Sequence, residues 1–252
     1  MKRIMLIVAY DGTEYNGWQI QPGVPTIEGV LNAELSRLLK EDIHVIGASR
    51  TDAGVHARGA VAVFDTESTI PATKFSFALN VSLPDDIIVV KSFEVRNDFH
   101  PRKVNCRKTY EYHIYNDVFM NPLKRLYCHH VYGELDIDKM QRASEYLVGE
   151  HDFAAFCSAG SQVMTTVRTI YNISVTRVGE EVIISVTGNG FLYNMVRIIS
   201  GTLIEIGQGK YPPEEIGKML ASANRETAGQ TAPARGLCLM GYEYDSTDLF
   251  GE

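Results

Sequence analysis

Apolar positions along the chain switch between a period near two and a period near 3.6, and those switches divide it into elements. Residues Arg3–Tyr10 are an apolar run that predicts a first strand, ended by the turn-rich Asp11-Gly-Thr-Glu-Tyr-Asn-Gly17. Thr26 can cap a helix with Glu28 in its first turn, and Ile27, Val30, Leu31, Leu35, Leu38 and Leu39 then recur on one helical face. Two short apolar stretches, Ile43-His-Val-Ile46 and Ala60-Val-Ala-Val-Phe64, predict strands on either side of a polar turn. Thr69 before Pro71 signals a second helix running to about Asn80, and Asp86–Val95 predicts a further strand. The order is β-α-β-β-α-β, the split βαβ arrangement of a ferredoxin-like unit.

The second half repeats this order without repeating the sequence. Lys103–Asn116 predicts a long strand, with an auxiliary strand near Leu126–Val131 and a helix capped by Asp136 and running to about Leu147. Val167–Arg177 and Val182–Thr187 form a hairpin over Gly179-Glu-Glu181. Phe191–Ile206 reads as a helix between Gly188-Asn-Gly190 and Gly207-Gln-Gly209, Pro212–Ser222 as another, and Leu237–Tyr244 as the last strand. The expected fold is α+β: two ferredoxin-like βαββαβ halves, with a continuous, mainly antiparallel sheet and helices packed on it. The halves would be residues 1–101 and 102–252, with no Pro/Ser-rich linker and a cleft between them suited to a large substrate.

Composition narrows the class. In 252 residues, 45% hydrophobic and 22% charged, no apolar run approaches the length of a bilayer span. The start resembles a signal peptide in having basic residues before an apolar stretch, but that stretch is short and flows into Tyr10-Asp-Gly-Thr13, so a cytoplasmic protein is expected. Cys106, Cys128, Cys157 and Cys238 are far apart, which speaks against a metal site or disulfide framework. A formal charge of −7 argues against indiscriminate polyanion binding. One region departs from that balance. Arg102-Lys-Val-Asn-Cys-Arg-Lys108 carries four basic residues and no acidic one, and Tyr110, Tyr112 and Tyr115 follow it. Basic charge beside exposed aromatics is what a single-stranded nucleic-acid platform needs; a solvated strand with half-buried tyrosines gives the same pattern.

The candidate chemistry lies in Gly47-Ala-Ser-Arg-Thr-Asp-Ala-Gly-Val-His-Ala57, where Gly54 lets the backbone turn between the two predicted strands. Arg50 and Asp52, two apart, would lie side by side in an extended segment, and a carboxylate beside a guanidinium stays ionised as a nucleophile requires. A surface turn closed by an ordinary ion pair fits equally. There is no Walker-type or Gly-x-Gly-x-x-Gly loop and no Gly-x-Ser-x-Gly elbow. His129-His130 faces opposite ways on a strand, and Asp52 with His56 lacks a further ligand cluster, so no metal is expected. From the residues alone, the chain is a cofactor-free enzyme or a binding module acting on nucleic acid.

Five motifs carry a closer likeness. Arg50-Thr-Asp-Ala-Gly-Val-His-Ala57 resembles the signature of the TruA family of tRNA pseudouridine synthases. Tyr10-Asp-Gly-Thr-Glu-Tyr-Asn-Gly-Trp-Gln19 with Thr26-Ile-Glu-Gly29, Arg107-Lys-Thr-Tyr-Glu-Tyr112, Gly190-Phe-Leu-Tyr-Asn-Met-Val-Arg197 and Ala232-Pro-Ala-Arg-Gly-Leu237 resemble the family's other motifs in the same order. The resemblance implies a two-lobed homodimer that isomerises uridine at positions 38, 39 and 40 of the tRNA anticodon stem-loop, without a cofactor. It implies that Asp52 is the nucleophile, Tyr110 stacks on the target base, Arg197 pairs with the carboxylate, and Arg50 holds the flipped nucleotide. Arg58, Arg102, Arg107, Lys108 and Arg168 are candidates for RNA-backbone contacts on charge and position alone. Ala60, where the family pattern has a polar residue, and Cys106, where alanine is common, depart from it. A non-catalytic RNA-binding or chaperone protein of the same fold is the alternative, and a metal-dependent nuclease would need a carboxylate cluster that this sequence lacks.

Overall fold

The computed structural model describes residues 1–160 and 163–251; Glu252, the end of the second expected half, lies outside the described residues. Two compact units result: Met1–Cys106 with Leu239–Glu252, and Arg107–Cys238.

The first unit contains β1 (Lys2–Tyr10), α1 (Ile27–Leu39), β2 (Ile46–Gly47), β3 (His56–Thr66), α2 (Phe75–Asn80) and β4 (Ile87–Val95). β1 lies between β4 and β3, antiparallel to both, and β2 adds to β3. The helix α1 starts where Thr26 accepts the Gly29 N–H and ends at Lys40, which adopts the left-handed conformation. Its apolar stripe, Ile27, Leu31 and Leu35, is fully buried. The sheet's apolar layers lie on both faces. Phe64 meets Phe75 of α2 edge-on at 5.4 Å, while Met5, Val61, Val63, Val95 and Phe99 form a second cluster covered by Tyr242, Tyr244 and Leu249.

Two sequence expectations fail here for local reasons. The expected strand at 43–46 shrinks to Ile46–Gly47, because side chains of α1 take the preceding amides. Ser36 Oγ accepts from Ile43 N–H and Asn32 Oδ1 from Val45 N–H, so this stretch needs no strand partner. The second helix begins at Ala72 as a 3₁₀ turn and only then continues as α2, with Pro71, not Thr69, at its entry.

The second unit holds β5 (Cys106–Asn116), β6 (His129–Val131), α3 (Ile137–Glu145), β7 (Gly149–Asp152), β8 (Val167–Val178), β9 (Glu181–Gly188), α4 (Met195–Gly207) and α5 (Glu215–Ser222). Its strands run in the order β5-β9-β8-β7, antiparallel throughout, with β6 parallel to β5. Asp136 caps α3 through the Lys139 N–H at 3.0 Å. α4 is buried along nearly its whole length, as its sequence of Ile, Leu and small residues dictates. It starts four residues later than the sequence pattern suggests, because Asn194 is left-handed (φ +60°) and cannot continue a helix from Phe191. β10 (Leu237–Tyr244) follows as expected, and a short α6 (Ser246–Phe250) ends the described chain.

Candidate active site

In the first unit, the β1–β3 register pairs Val8 with Ala60 and Tyr10 with Ala57, so Arg58 and Gly59 stand opposite Ala9 alone. This bulge turns Arg58 out to solvent and brings the loop after β1 against the loop before β3. The second loop carries Asp52 and is held almost entirely by its backbone. Trp18 N–H donates to Thr51 O at 3.1 Å, Gly54 N–H to Tyr15 O at 3.3 Å, and Val55 N–H to Asp52 O at 3.2 Å. Thr51 Oγ1 shares a buried hydrogen bond of 2.8 Å with Tyr10 OH.

Glycines make this fit possible. A Cβ at Gly12 would collide with the Val55 carbonyl, and one at Gly17 would collide with the Thr51 carbonyl and lie 3.0 Å from the Asp52 carbonyl carbon. Gly17 also has φ +83°, open to glycine at little cost. Trp18, 3% exposed, fills the space that a side chain at Gly47 would need. His56 closes the loop: its Nδ1 accepts the Gly12 N–H at 3.1 Å, with Asp11 Oδ1 also 3.1 Å from that nitrogen. The Asp52 side chain is therefore presented, half-buried, from a backbone moulded on Asp11-Gly-Thr-Glu-Tyr-Asn-Gly-Trp18. That stretch reads in sequence as a plain turn. Its Gly-x-x-x-x-Gly-Trp pattern was the available signal, but its partner lies more than thirty residues away.

Asp52 is in a loop, so the strand argument that set Arg50 beside it does not apply; Arg50 is exposed. Arg102, in the same unit, is exposed, with its backbone N–H on His100 Nδ1.

In the second unit, Tyr110 stands opposite Val186, 7% exposed, with Phe191 edge-on at 5.3 Å. Tyr112 is fully buried and donates its hydroxyl proton to the Pro233 carbonyl at 2.9 Å; Tyr115 is 8% exposed. Tyr110 and Tyr112 are thus not the exposed platform that the basic run suggested, because Phe191 packs on the first and the 232–236 turn on the second; Tyr115 is buried as well. Burial pushes the Tyr112 hydroxyl well above the usual phenol range. Arg107 is exposed and lies over the Tyr171 ring at 5.0 Å, while Lys108 is half-buried. Arg168 donates from Nη1 to the carbonyls of Thr165 and Val167, and burial lowers its pKa.

Arg197 lies in the first turn of α4. Nε donates to the Ala232 carbonyl at 2.8 Å, and Nη1 to Asn194 Oδ1 at 2.7 Å. Ala232 N–H returns a bond to the Arg197 carbonyl at 3.1 Å. Two motifs far apart in sequence, Phe191–Arg197 and Ala232–Gly236, thus converge on one guanidinium. Asn194 and Ala232 stand in two of the family motifs but received no role in the sequence reading, because neither is a titratable group and Ala232 acts through its carbonyl.

The comparison with known proteins bears on this arrangement. The model of the tRNA pseudouridine synthase family matches residues 6–102 and 143–245, which include the Asp52 loop and the Arg197 turn. The chain belongs to the tRNA pseudouridine synthase family. It is an enzyme of the isomerase class. Among curated relatives, tRNA pseudouridine synthase A of Brevibacillus brevis is 51% identical over 239 residues, covering 95% of this chain and 98% of that one. The enzyme of the same name from Ruminiclostridium cellulolyticum is 50% identical over 245 residues, covering 97% and 100%. That from Geotalea uraniireducens is 48% identical over 240 residues, covering 95% and 98%. Among the described residues of the synthase, no helix is long and apolar enough to cross a membrane.

Proposed function

We propose that this synthase converts uridine to pseudouridine at positions 38, 39 and 40 in the anticodon stem-loop of tRNA, with Asp52 as its nucleophile. The observation that carries the reading is the Asp52 loop. Its backbone is fixed by Tyr10, Tyr15 and Trp18 and by two glycines that tolerate no side chain, and from it the Asp52 side chain stands half-buried. A backbone held this way narrows the positions open to the carboxylate before substrate arrives, which favours attack by a nucleophile.

In the proposed reaction the C1′–N1 bond breaks while Asp52 holds the substrate covalently. The base turns, C1′ bonds to C5, the bond to Asp52 breaks and returns the free carboxylate, the C5 hydrogen leaves as a proton, and N1 takes one up. Nothing is oxidised or reduced, so no cofactor is required. Tyr110 would stack on the base, Arg50 would hold the nucleotide out of its helix, and Arg197 would supply the positive charge that keeps the carboxylate ionised. Arg58, Arg102, Arg107, Lys108 and Arg168 would meet phosphates, with the enzyme acting as a cytoplasmic homodimer. Carbodiimide labelling and primer extension on unmodified tRNA treated with the enzyme tests the substrate assignment. New stops at positions 38 to 40 are expected; stops confined to other regions of the tRNA would contradict it.

A further inference from the structure

Three non-glycine residues among the described ones have positive φ: Lys40, Asn194 and Ala223. Lys40 and Ala223 close the C-termini of α1 and α5, where the left-handed conformation is ordinary. Asn194 stands at the N-terminus of α4, where the flanking residue is normally extended and its side chain bonds the helix's own N–H groups. Asn194 does neither. Its side chain makes no cap; Oδ1 instead accepts from Arg197 Nη1 at 2.7 Å. Backbone strain kept at a place where the ordinary use of the residue has been given up calls for a local reason.

The remaining bonds supply one. Asn194 Nδ2 donates to Ser158 Oγ at 3.0 Å, which fixes the amide with its oxygen toward Arg197. Ser158 is itself tied to the start of α4, its N–H on the Tyr193 carbonyl at 3.1 Å. With Nε on Ala232 O, the guanidinium is gripped at two of its nitrogens, and two fixed points set the plane of a rigid fork.

We propose that Asn194 is a positioning residue, which holds the Arg197 guanidinium in one plane and through it sets the rate of the isomerisation. This rests on the reading of Arg197 given above. The left-handed backbone at Asn194 accompanies this use of its amide: the side chain bonds the Arg197 guanidinium and Ser158 and caps none of the helix's N–H groups.

Asn194→Gly separates the two contributions, since glycine keeps the backbone and loses the amide. Turnover per bound tRNA should fall about 10²-fold, the order expected when a catalytic group is misplaced, with KM changed little. In an Arg197→Ala background the same substitution should have no further effect. Ser158→Ala, which removes only the far anchor of the amide, should lower turnover less and in the same direction, and it serves if Asn194→Gly does not fold. Independently of activity, the Arg197 Nε–H signal in a ¹⁵N–¹H spectrum, assigned by its loss in Arg197→Lys, should move to the position of an exposed, rapidly exchanging arginine in Asn194→Gly. An unchanged signal, or a further loss of turnover when Asn194→Gly is added to Arg197→Ala, would overturn the proposal. A moved signal with full turnover in both Asn194→Gly and Arg197→Ala would leave Asn194 as the group that orients Arg197 and would overturn the catalytic reading of Arg197 itself.

Discussion

The Asp52 loop and the Arg197 turn are held by opposite means. The backbone that carries Asp52 is set by main-chain shape: carbonyls and amides of the 10–18 loop grip residues 51–55, and glycines leave no room for error. Arg197 is set by side-chain bonds, its own and those of Asn194 and Ser158. A short carboxylate has few rotatable bonds, so placing its backbone nearly places its oxygens. A long guanidinium has four, and it must be held near its tip. The first region should therefore be broken by adding atoms, and the second by removing them.

The largest effect should come from adding one carbon to the first. Gly12→Ala and Gly17→Ala each force a methyl into a backbone carbonyl, and Gly17→Ala also strains φ; each should destabilise by about 3 kcal/mol or more and abolish turnover. Urea midpoints and tritium release from tRNA carrying 5-tritiated uridine measure both. Wild-type stability in Gly12→Ala would mean that the two loops do not interlock. Arg197→Lys should come next. It keeps the charge but loses the planar fork, so turnover should fall ~10²-fold while tRNA affinity changes within about twofold. A loss carried mainly by affinity would make Arg197 a phosphate contact. Tyr10→Phe removes a partner from buried Thr51 Oγ1 and should cost about 1–3 kcal/mol, read from the same urea midpoints, with turnover less affected than in the glycine variants.

The smallest effect separates the units by pH. α1 is capped by a neutral hydroxyl, Thr26, and α3 by a carboxylate, Asp136. The Lys139 backbone N–H, then the Lys139 side chain, hold the Asp136 pKa below its ordinary value. A carboxylate with a lowered folded pKa stabilises above its unfolded pKa and loses that contribution as pH falls through the folded one. Stability of Asp136→Asn should therefore lie closer to wild type in acid than at neutral pH, whereas Thr26→Ala should cost about 1 kcal/mol at either pH. A Thr26→Ala deficit that shrinks in acid would remove the contrast.

The two means of support also explain what the sequence revealed. Features set by neighbours a few residues away were legible: the Thr26 and Asp136 caps and the hairpin over Gly179. Features set by distant partners were not. Nothing near Ile43 shows that Ser36 and Asn32 will satisfy the amides of Ile43 and Val45, and nothing near Asn194 and Arg197 shows that Ser158 and Ala232 will hold the far ends of their bond. The buried tyrosines of β5 failed for the same reason, since the Pro233 carbonyl that takes the Tyr112 hydroxyl is over a hundred residues away. Asp52 itself was legible as chemistry, from its motif, and the 10–18 stretch as a turn and a family motif, but that the one is moulded on the other was not.

Whether the Asp52 loop presents a nucleophile is tested by Asp52→Asn. The amide matches the carboxylate in shape, so the loop and tRNA binding should be preserved. With enzyme in excess over tRNA carrying 5-tritiated uridine, and binding confirmed by filter retention, the account predicts full complex formation and no tritium release. Release at the wild-type rate from the Asp52→Asn complex would contradict it.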